Sequence, residues 1–189
     1  MEKKYLARQG CLGMRPLTLE DSQLVVDWRN NPRVRKRYIY REKFTLEGQK
    51  KYFHDRVETG QVAQFIFVEL SEVNGVEREL PIGCAVLDDI HPQYAECGNW
   101  IGEDRAIGKG YSAVMIRLAC DYGFRVLGLT DIVSRIFEDN PASYRSYEKA
   151  GFRIAGVLPG VECTDGARKD MYFLHLRRED YGYEGNKNN

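Results

Sequence analysis

The 189-residue sequence has no excess charge of either sign and no long apolar run. Lysine and arginine together number 28, and aspartate and glutamate together also number 28. A neutral chain has no overall field that would attract nucleic acid or an anionic membrane surface. No apolar run approaches the roughly 20 residues that a membrane-spanning helix needs. We therefore expect neither a nucleic-acid partner nor membrane association, and any phosphate site must be local.

Cysteine and histidine are also few. The five cysteines include no CxxC pair, and none of the three histidines has a second ligand residue at a recognised metal-binding spacing. These spacings exclude the known zinc motifs, and we predict no metal site. No secretory signal precedes the cysteines, so we expect reduced thiols and a cytoplasmic location.

The hydrophobic periodicity predicts a mixed α/β chain. The predicted order is a strand, two helices, three meandering strands, a helix, a strand, a helix and two strands. This order favours one domain over residues 1–180, with a central, mostly antiparallel sheet of about seven strands flanked by about four helices. Residues 181–189 have nothing to bury, and we expect them to form a mobile tail.

The element bounds follow from caps, breakers and periodicity. The predicted first helix follows a capping box at Thr18 and Asp21 and stops at Pro32, because proline cannot continue a helix. The other predicted helices cover residues 46–58, 111–124 and 140–150, and the predicted strands cover residues 12–19, 64–70, 81–90, 95–101, 129–137, 152–158 and 170–176.

A glycine-rich loop stands directly before the third predicted helix, in the stretch "GEDRAIGKGYSAVMIRLACDYGF" at residues 102–124. A Walker P-loop needs Ser or Thr after its lysine, whereas Gly110 follows Lys109 here. A dinucleotide-binding GxGxxG needs a third glycine where Ala113 stands. What remains is a loop whose main-chain N–H groups face an anion at a helix N-terminus, where a pyrophosphate would fit. The alternative is a tight turn that serves only helix packing.

A second motif supports the anion site. The stretch "NPASYRSYEKAGF" at residues 140–152 resembles the second signature of the GCN5-related N-acetyltransferases, abbreviated GNAT. Together with "WIGEDRAIGKGYS" at residues 100–112, it is similar to the RimJ/RimL-like branch of that superfamily. The resemblance runs from about Leu12 to Arg178 and implies the GNAT fold for the whole of that range.

The resemblance implies acetyl-CoA as co-substrate. Two alignments of the family's loop pattern, Q/R-x-x-G-x-G/A, are open, one from Arg105 to Gly110 and the other, which we favour, from Ile107 to Ser112. The pantetheine arm is expected to pair with the strand at Trp100, Ile101 and Gly102. Asn140 and Ser143 are expected to cap the next helix, to contact the coenzyme, or to do both. The N–H groups expected to hold the pyrophosphate are those of Ile107, Gly108, Lys109, Gly110, Tyr111 and Ser112.

The implied reaction is direct attack by an amine in a ternary complex, without a covalent acyl-enzyme. An alkylammonium must lose a proton before it attacks, so a base is needed. Glu96 is the predicted base and Glu103 the second candidate, while a solvent-facing strand carboxylate is the alternative for Glu96. Tyr147 is the predicted general acid toward the CoA thiolate, and a core tyrosine is its alternative. Cys97 and Cys120 are expected to be packing residues.

The acceptor site is expected where the first two helices meet, with Arg29 and Tyr38 as substrate-binding residues. The basic and aromatic run at residues 33–41 suits a phosphate-bearing acceptor such as a nucleotide-linked amino sugar, and the "WRN" before it resembles amino-sugar acetyltransferases. A solvated loop is the alternative for this run. A protein N-terminus or a polyamine as acceptor, and a catalytically silent CoA-binding domain, remain open. A homodimer is also expected.

Overall fold

The computed structural model describes residues 4–182. Its strands are β1 (Ala7–Gln9), β2 (Leu12–Pro16), β3 (Ala63–Val73), β4 (Val76–Asp88), β5 (Tyr94–Ile101), β6 (Asp131–Phe137), β7 (Arg153–Glu162) and β8 (Arg168–Arg177). Its α-helices are α1 (Ser22–Asn30), α2 (Pro32–Arg35), α3 (Leu46–Tyr52), α4 (Tyr111–Arg125) and α5 (Pro141–Lys149).

The eight strands form one sheet in the order β1-β2-β3-β4-β5-β6-β8-β7. Among the described strands, only β5 and β6 pair in parallel, because α4 connects them by a crossover. The predicted mixed α/β fold with one mostly antiparallel sheet is confirmed. The prediction missed β1, which has three residues and is too short to give a periodic signal.

Pro32 begins a helix as well as ending one. α1 ends at Asn30, and the Asn31 side chain then accepts a hydrogen bond from the N–H of Arg33 at 2.9 Å. Pro32 occupies the first helical position of α2, where its fixed φ is favourable and no N–H is needed. The second predicted helix, over residues 46–58, has two parts in the structure: α3 is followed by a π-helical turn over residues 53–57.

The helices cover the two faces of the sheet. α4 and α5 pack on one face, where Met115, Ala119 and Tyr147 join one buried cluster with Ala95 and Cys97 of β5. A second buried cluster lies on the opposite face, under α1 and the turn after α3. Side chains alternate along a strand, so Glu96 and Trp100 of β5 face the layer formed by α1, α2 and α3.

The ordered chain extends into the range predicted as the tail. The Tyr181 hydroxyl donates to the carbonyl of Arg117 at 2.9 Å, and its ring packs against Phe124. The rest of the predicted tail, from residue 183 onward, lies outside the described residues.

Candidate functional site

A gap opens between β5 and β6. Their pairing joins residues 94–96 of β5 to residues 131–133 of β6 and then stops. Beyond that point β6 pairs with β8, while β5 keeps only its pairing with β4. The two parallel strands therefore separate, and the end of β5 has one unpaired edge facing the gap.

Main-chain groups of β5 point into this gap at alternate residues. The Gly102 N–H donates to the Ile82 carbonyl of β4 at 2.8 Å. Because main-chain groups alternate in direction along a strand, Trp100 and Gly98 also direct their N–H and C=O groups to β4. The main-chain groups of Cys97, Asn99 and Ile101 consequently face the gap. An extended ligand can pair with such an edge as an added strand.

Tyr147 crosses the gap from α5. Its hydroxyl donates to the Cys97 carbonyl at 2.9 Å, and the side chain is buried, with 2% of its surface exposed. Burial raises the pKa of Tyr147, and the thiol of Cys97 acts in the same direction. The phenol is therefore protonated at neutral pH and lies where β5 and β6 begin to separate.

The loop before α4 presents free main-chain N–H groups at the N-terminus of that helix. Gly108 and Gly110 have positive φ angles of 79° and 78°, and no atom lies within 4 Å of a Cβ built on either. The N–H groups of Gly108, Lys109 and Gly110 have no acceptor anywhere in residues 4–182. Successive N–H groups in such a turn form an anion-binding concavity, and the dipole of the 15-residue α4 adds to it.

The positive φ angles also bear on the alignment of the loop pattern. The alignment from Arg105 places both pattern glycines on residues with positive φ, Gly108 and Gly110. The alignment from Ile107 places its last position on Ser112, which is already inside α4. The structure favours the first alignment, and the N–H groups of residues 108–110 belong to both. The prediction that the Ile107 N–H holds the pyrophosphate is wrong, because that N–H donates to the Asp104 carbonyl at 3.1 Å.

Glu69 of β3 anchors this loop, a contact that the sequence did not indicate. Its carboxylate accepts from the Lys109 ammonium at 2.8 Å, from the Tyr111 hydroxyl, and from Arg105 at 2.7 Å. These hydrogen bonds, the one from Lys109 first, lower the pKa of Glu69 to about 2. Lys109 is thus bound to a carboxylate, and the loop offers an anion its main-chain N–H groups.

The Glu69 contacts predict a pH-dependent contribution to stability. We expect Glu69→Gln to lower the free energy of unfolding by roughly 1 kcal/mol near pH 7, since the ion pairs lie near solvent. An ordinary glutamate titrates near about pH 4.3, so the contribution is complete above that value. It is lost as the pH falls toward 2, where the folded carboxylate protonates. Urea unfolding at several pH values should show the two proteins converging near pH 2.

Glu72→Gln is the matched control for this experiment. Glu72 is exposed on the same strand and forms no ion pair in the part of the chain that the structure describes. Its replacement should leave the pH dependence of stability unchanged. A stability difference between Glu69→Gln and wild type that stays constant down to pH 2 would contradict the assignment.

The two candidate bases are both engaged. Arg135 of β6 binds the Glu96 carboxylate through two hydrogen bonds of 2.9 and 2.7 Å. Glu96 side-chain exposure is 28%, so water still reaches it. Glu103 accepts from the Trp28 indole N–H at 2.8 Å. Both carboxylates lie on the side of α1, and Glu96 stands beside the start of the gap.

The residues predicted to hold the pantetheine arm divide by the direction of their main chain. Ile101 turns its carbonyl away from β4, and Arg33 donates to that carbonyl at 3.1 Å. Trp100 and Gly102 turn their main-chain groups to β4. Gly102 also lies against the Trp28 ring, where an added Cβ would stand 2.2 Å from a ring atom. Asn99, absent from the sequence prediction, faces the gap and donates from its side chain to Ser112 of α4 at 2.8 Å.

Asn140 and Ser143 lie at the N-terminus of α5, half-buried near the end of β6. Asn140 is the N-cap residue, but its side chain makes no capping hydrogen bond. Neither side chain has a hydrogen-bonding partner within residues 4–182. Capping therefore does not account for Asn140, and its amide is available to a ligand.

Arg29 and Tyr38 lie together on the face of β5 opposite α4. The Arg29 guanidinium carbon is 3.5 Å from the centroid of the Tyr38 ring, 4.6 Å from that of Phe44 and 5.4 Å from that of Trp100. Burial raises the pKa of the Tyr38 hydroxyl to about 12, although the Arg29 charge opposes this shift. The two predicted substrate residues are brought together with Trp100 in one aromatic cluster.

Most of the basic run has protein partners. Arg33 binds Asp104 and the end of β5, Arg37 binds Asp139, and Arg41 binds Asp165. These ion pairs join residues far apart in the sequence and tie the segment after α1 to the rest of the sheet. The run is therefore mainly structural, and the expected patch of free cations for a phosphate-bearing acceptor is not formed by these three residues.

Other surface features lie away from this site. One open cleft is lined by residues 151, 153–155, 175–177 and 180, and a second by residues 130–131, 177–179 and 181; neither contains a predicted site residue. Within residues 4–182, no three His, Cys, Asp or Glu side chains are grouped as metal ligands would be. No helix in the same range has the length and hydropathy needed to span a membrane.

Comparison with known families agrees with this geometry. The family model described as the acetyltransferase (GNAT) domain matches residues 12–153. The chain belongs to the GNAT acetyltransferase family. Two relatives match nearly the whole of this GNAT acetyltransferase. An uncharacterized N-acetyltransferase, p20, of Bacillus licheniformis is 27% identical over 96% of this chain and 99% of its own length. The spermidine N(1)-acetyltransferase of Escherichia coli K12 is 30% identical over 89% of this chain and 87% of its own.

Solved structures show the same fold for this GNAT acetyltransferase. Spermidine N-acetyltransferase from Vibrio cholerae, in complex with CoA and spermine, matches with a TM-score of 0.79 and 21% identity. The match covers 90% of this chain and 98% of that one. At this identity the likeness establishes the fold.

Proposed function

We propose that this GNAT acetyltransferase transfers the acetyl group of acetyl-CoA to a primary amine by direct attack in a ternary complex. The observation that carries the proposal is the gap between β5 and β6, with unpaired N–H groups at one end and Tyr147 at the other. The Vibrio cholerae neighbour whose structure contains CoA has the same fold, which supports this choice of co-substrate.

The residues present fit acetyl-CoA. The open space around Gly108 and Gly110 admits a pyrophosphate, and the N–H groups of residues 108–110 would hold it. Asn99 and Ile101 would pair with the extended arm, while Asn140 and Ser143 would contact it from α5. When bound, acetyl-CoA supplies a thioester carbonyl that an amine can attack. The Asn99 N–H faces the gap and is available to stabilise negative charge on that carbonyl oxygen.

The acid and base are assigned from the same geometry. Tyr147 would donate its phenolic hydrogen bond to the departing sulfur, moving it from the Cys97 carbonyl. Glu96 is held by Arg135 and would accept the ammonium proton through a water. Cys97 and Cys120 are buried, and burial raises the pKa of Cys120, so neither is suited to form an acyl-enzyme.

The relatives and the basic run of the sequence favour different classes of acceptor. A polyamine is supported by the relatives, since the Escherichia coli protein at 30% identity is a spermidine N(1)-acetyltransferase. A nucleotide-linked amino sugar was suggested by the basic run, but three cations of that run are paired with protein carboxylates. Of the relatives described above, those named for a substrate are spermidine acetyltransferases. A protein N-terminus has no support beyond the breadth of the family.

The proposed function is tested by mixing the purified chain with acetyl-CoA and a panel of amines. We expect release of free CoA with at least one polyamine, amino sugar or N-terminal peptide, and a product heavier by one acetyl group. Calorimetry should show acetyl-CoA binding in the absence of an amine. Binding without CoA release for any amine would indicate a silent CoA-binding domain, and neither binding nor release would overturn the proposal.

Four further properties belong to the same proposal. The two motifs favour the RimJ/RimL-like branch, and one acetyltransferase domain over residues 1–180 stays the prediction for the chain. A Vibrio cholerae spermidine N-acetyltransferase of the same fold forms a dodecamer in one structure, which supports self-association more generally than the expected homodimer. A cytoplasmic location also stays a prediction.

A further inference from the structure

Arg29 is a buried cation without a carboxylate partner. It has 7% of its surface exposed, and no ion pair or hydrogen bond joins it to a carboxylate in the described part of the chain. The Tyr38 hydroxyl is a polar neighbour of the guanidinium. Buried charged side chains in proteins are almost always paired, so an unpaired one at a candidate binding face needs an explanation.

The aromatic rings around Arg29 contact the flat face of its guanidinium, but they accept no hydrogen bonds from the N–H groups at its edge. The guanidinium lies over the Tyr38 ring and beside Phe44 and Trp100, an arrangement that stabilises a cation through the ring quadrupoles. A guanidinium also has five N–H donors in its plane, arranged as a fork that matches a carboxylate or phosphate. The rings thus fix its orientation and leave donors available for an oxygen ligand.

A second donor without a partner belongs to the same cluster. The Trp100 indole N–H is fully buried and forms no hydrogen bond among residues 4–182. The other buried side-chain atoms without a partner are also nitrogens, and they belong to α3 and its flanking segments: those of Arg41, Gln49 and Arg56. Within the Arg29 cluster, the donors of Arg29 and Trp100 would therefore be satisfied by a ligand that carries oxygen acceptors.

The Arg29 cluster is close to the proposed reaction centre. Trp100 lies three residues along β5 from Cys97, whose carbonyl accepts the Tyr147 hydrogen bond, a distance of about 10 Å at strand spacing. An acceptor whose amine reaches the gap would place its next functional group beside Arg29.

We propose that the acceptor carries an anionic oxygen group, a carboxylate or a phosphate, and that Arg29 binds it and selects the charge of the acceptor. This inference rests on the proposed amine acetylation. Two carboxylates on this side are ion-paired, Glu96 with Arg135 and Asp88 with Arg56, and Glu103 accepts a hydrogen bond from the Trp28 indole. A second ammonium group on a polyamine would be repelled by the Arg29 charge, whereas an anionic group would be attracted to it.

Three amines of equal chain length test the charge preference directly. They are 5-aminopentanoate, pentylamine and 1,5-diaminopentane, whose far ends are anionic, neutral and cationic. We expect wild-type kcat/KM to fall in that order, with at least a tenfold difference between the first and the last. A second comparison measures kcat/KM for glucosamine 6-phosphate and for glucosamine, which differ only by the phosphate. It tests whether a phosphate is preferred over a carboxylate as the anionic group. Spermidine is included as the polyamine acceptor.

Variants assign the preference to Arg29. Arg29→Met should remove the difference between the three amines, Arg29→Lys should keep part of it, and Arg29→Glu should favour 1,5-diaminopentane. Arg35→Met, on α2 in the same basic run, is the matched control and should behave as wild type. Calorimetric binding of acetyl-CoA and far-ultraviolet circular dichroism show that each variant is folded.

The outcomes distinguish the two proposals. If wild type prefers 1,5-diaminopentane or spermidine, the anionic acceptor is wrong while amine acetylation stands. If Arg29→Met is folded and keeps the wild-type order, the assignment to Arg29 is wrong. If no amine is acetylated, the proposed function fails. The wild-type order alone decides the charge preference if the Arg29 variants do not fold.

Discussion

Replacing Tyr147 with phenylalanine is expected to lower kcat by about 100-fold while the affinity for acetyl-CoA stays nearly unchanged. The hydroxyl extends from α5 across the gap and ends 2.9 Å from the Cys97 carbonyl oxygen. Burial raises its pKa, so it is protonated and able to donate at neutral pH. Phenylalanine keeps the ring in the core and removes only this donor. Steady-state kinetics and calorimetric titration with acetyl-CoA measure the two quantities.

The opposing interpretation is that the Tyr147 hydroxyl only joins β5 to α5. In that case Tyr147→Phe would lower the free energy of unfolding by about 1 kcal/mol and leave kcat unchanged. Tyr144→Phe is the control, because Tyr144 lies one turn earlier on α5 and its hydroxyl bonds only to the nearby Glu148. A similar loss of kcat in both variants would contradict a specific role for Tyr147.

The sequence could predict most elements of the fold because their signals are local. The alternating apolar run of β3 and the amphipathic pattern of α4 depend on residues close together in the chain. The loop at residues 107–112 was also accessible, since two glycines before a helix indicate an anion site through backbone conformation alone. The "WRN" segment predicts Arg29 as a substrate-binding residue, but it does not predict the side chains that surround Arg29.

The remaining features depend on contacts between distant residues. The gap forms because β6 continues alongside β8 after leaving β5, and no local pattern records where the pairing stops. Glu69 stands 40 residues from Lys109, and the ion pair between Arg37 and Asp139 spans 102 residues. The unpaired state of Arg29 is likewise a property of the packed layer. Charge in a sequence shows which residues could bind a ligand, but only packing shows which of them already have a partner.

The paired glycines of the loop give the second large effect. We expect the double variant Gly108→Ala/Gly110→Ala to raise KM for acetyl-CoA by about 100-fold, with kcat at saturation little changed. Both residues have left-handed φ angles, where an alanine costs about 1 kcal/mol each. There is room for the added methyl groups, so the loop would relieve this strain by changing its backbone angles. The N–H groups would then turn away from the pyrophosphate, and about 2.7 kcal/mol of binding free energy corresponds to the predicted change in KM.

The matched control is the double variant Gly160→Ala/Gly166→Ala. These glycines also have positive φ angles, 61° and 81°, and open space around a built Cβ, but they lie in the β7–β8 hairpin. Both double variants should lose similar thermal stability, because the conformational cost is of the same kind. Only the loop variant should lose affinity for acetyl-CoA, measured by calorimetry and by KM. Equal stability losses with wild-type KM in both would show that the loop is merely a tight turn, and the coenzyme would then have to bind without these N–H groups.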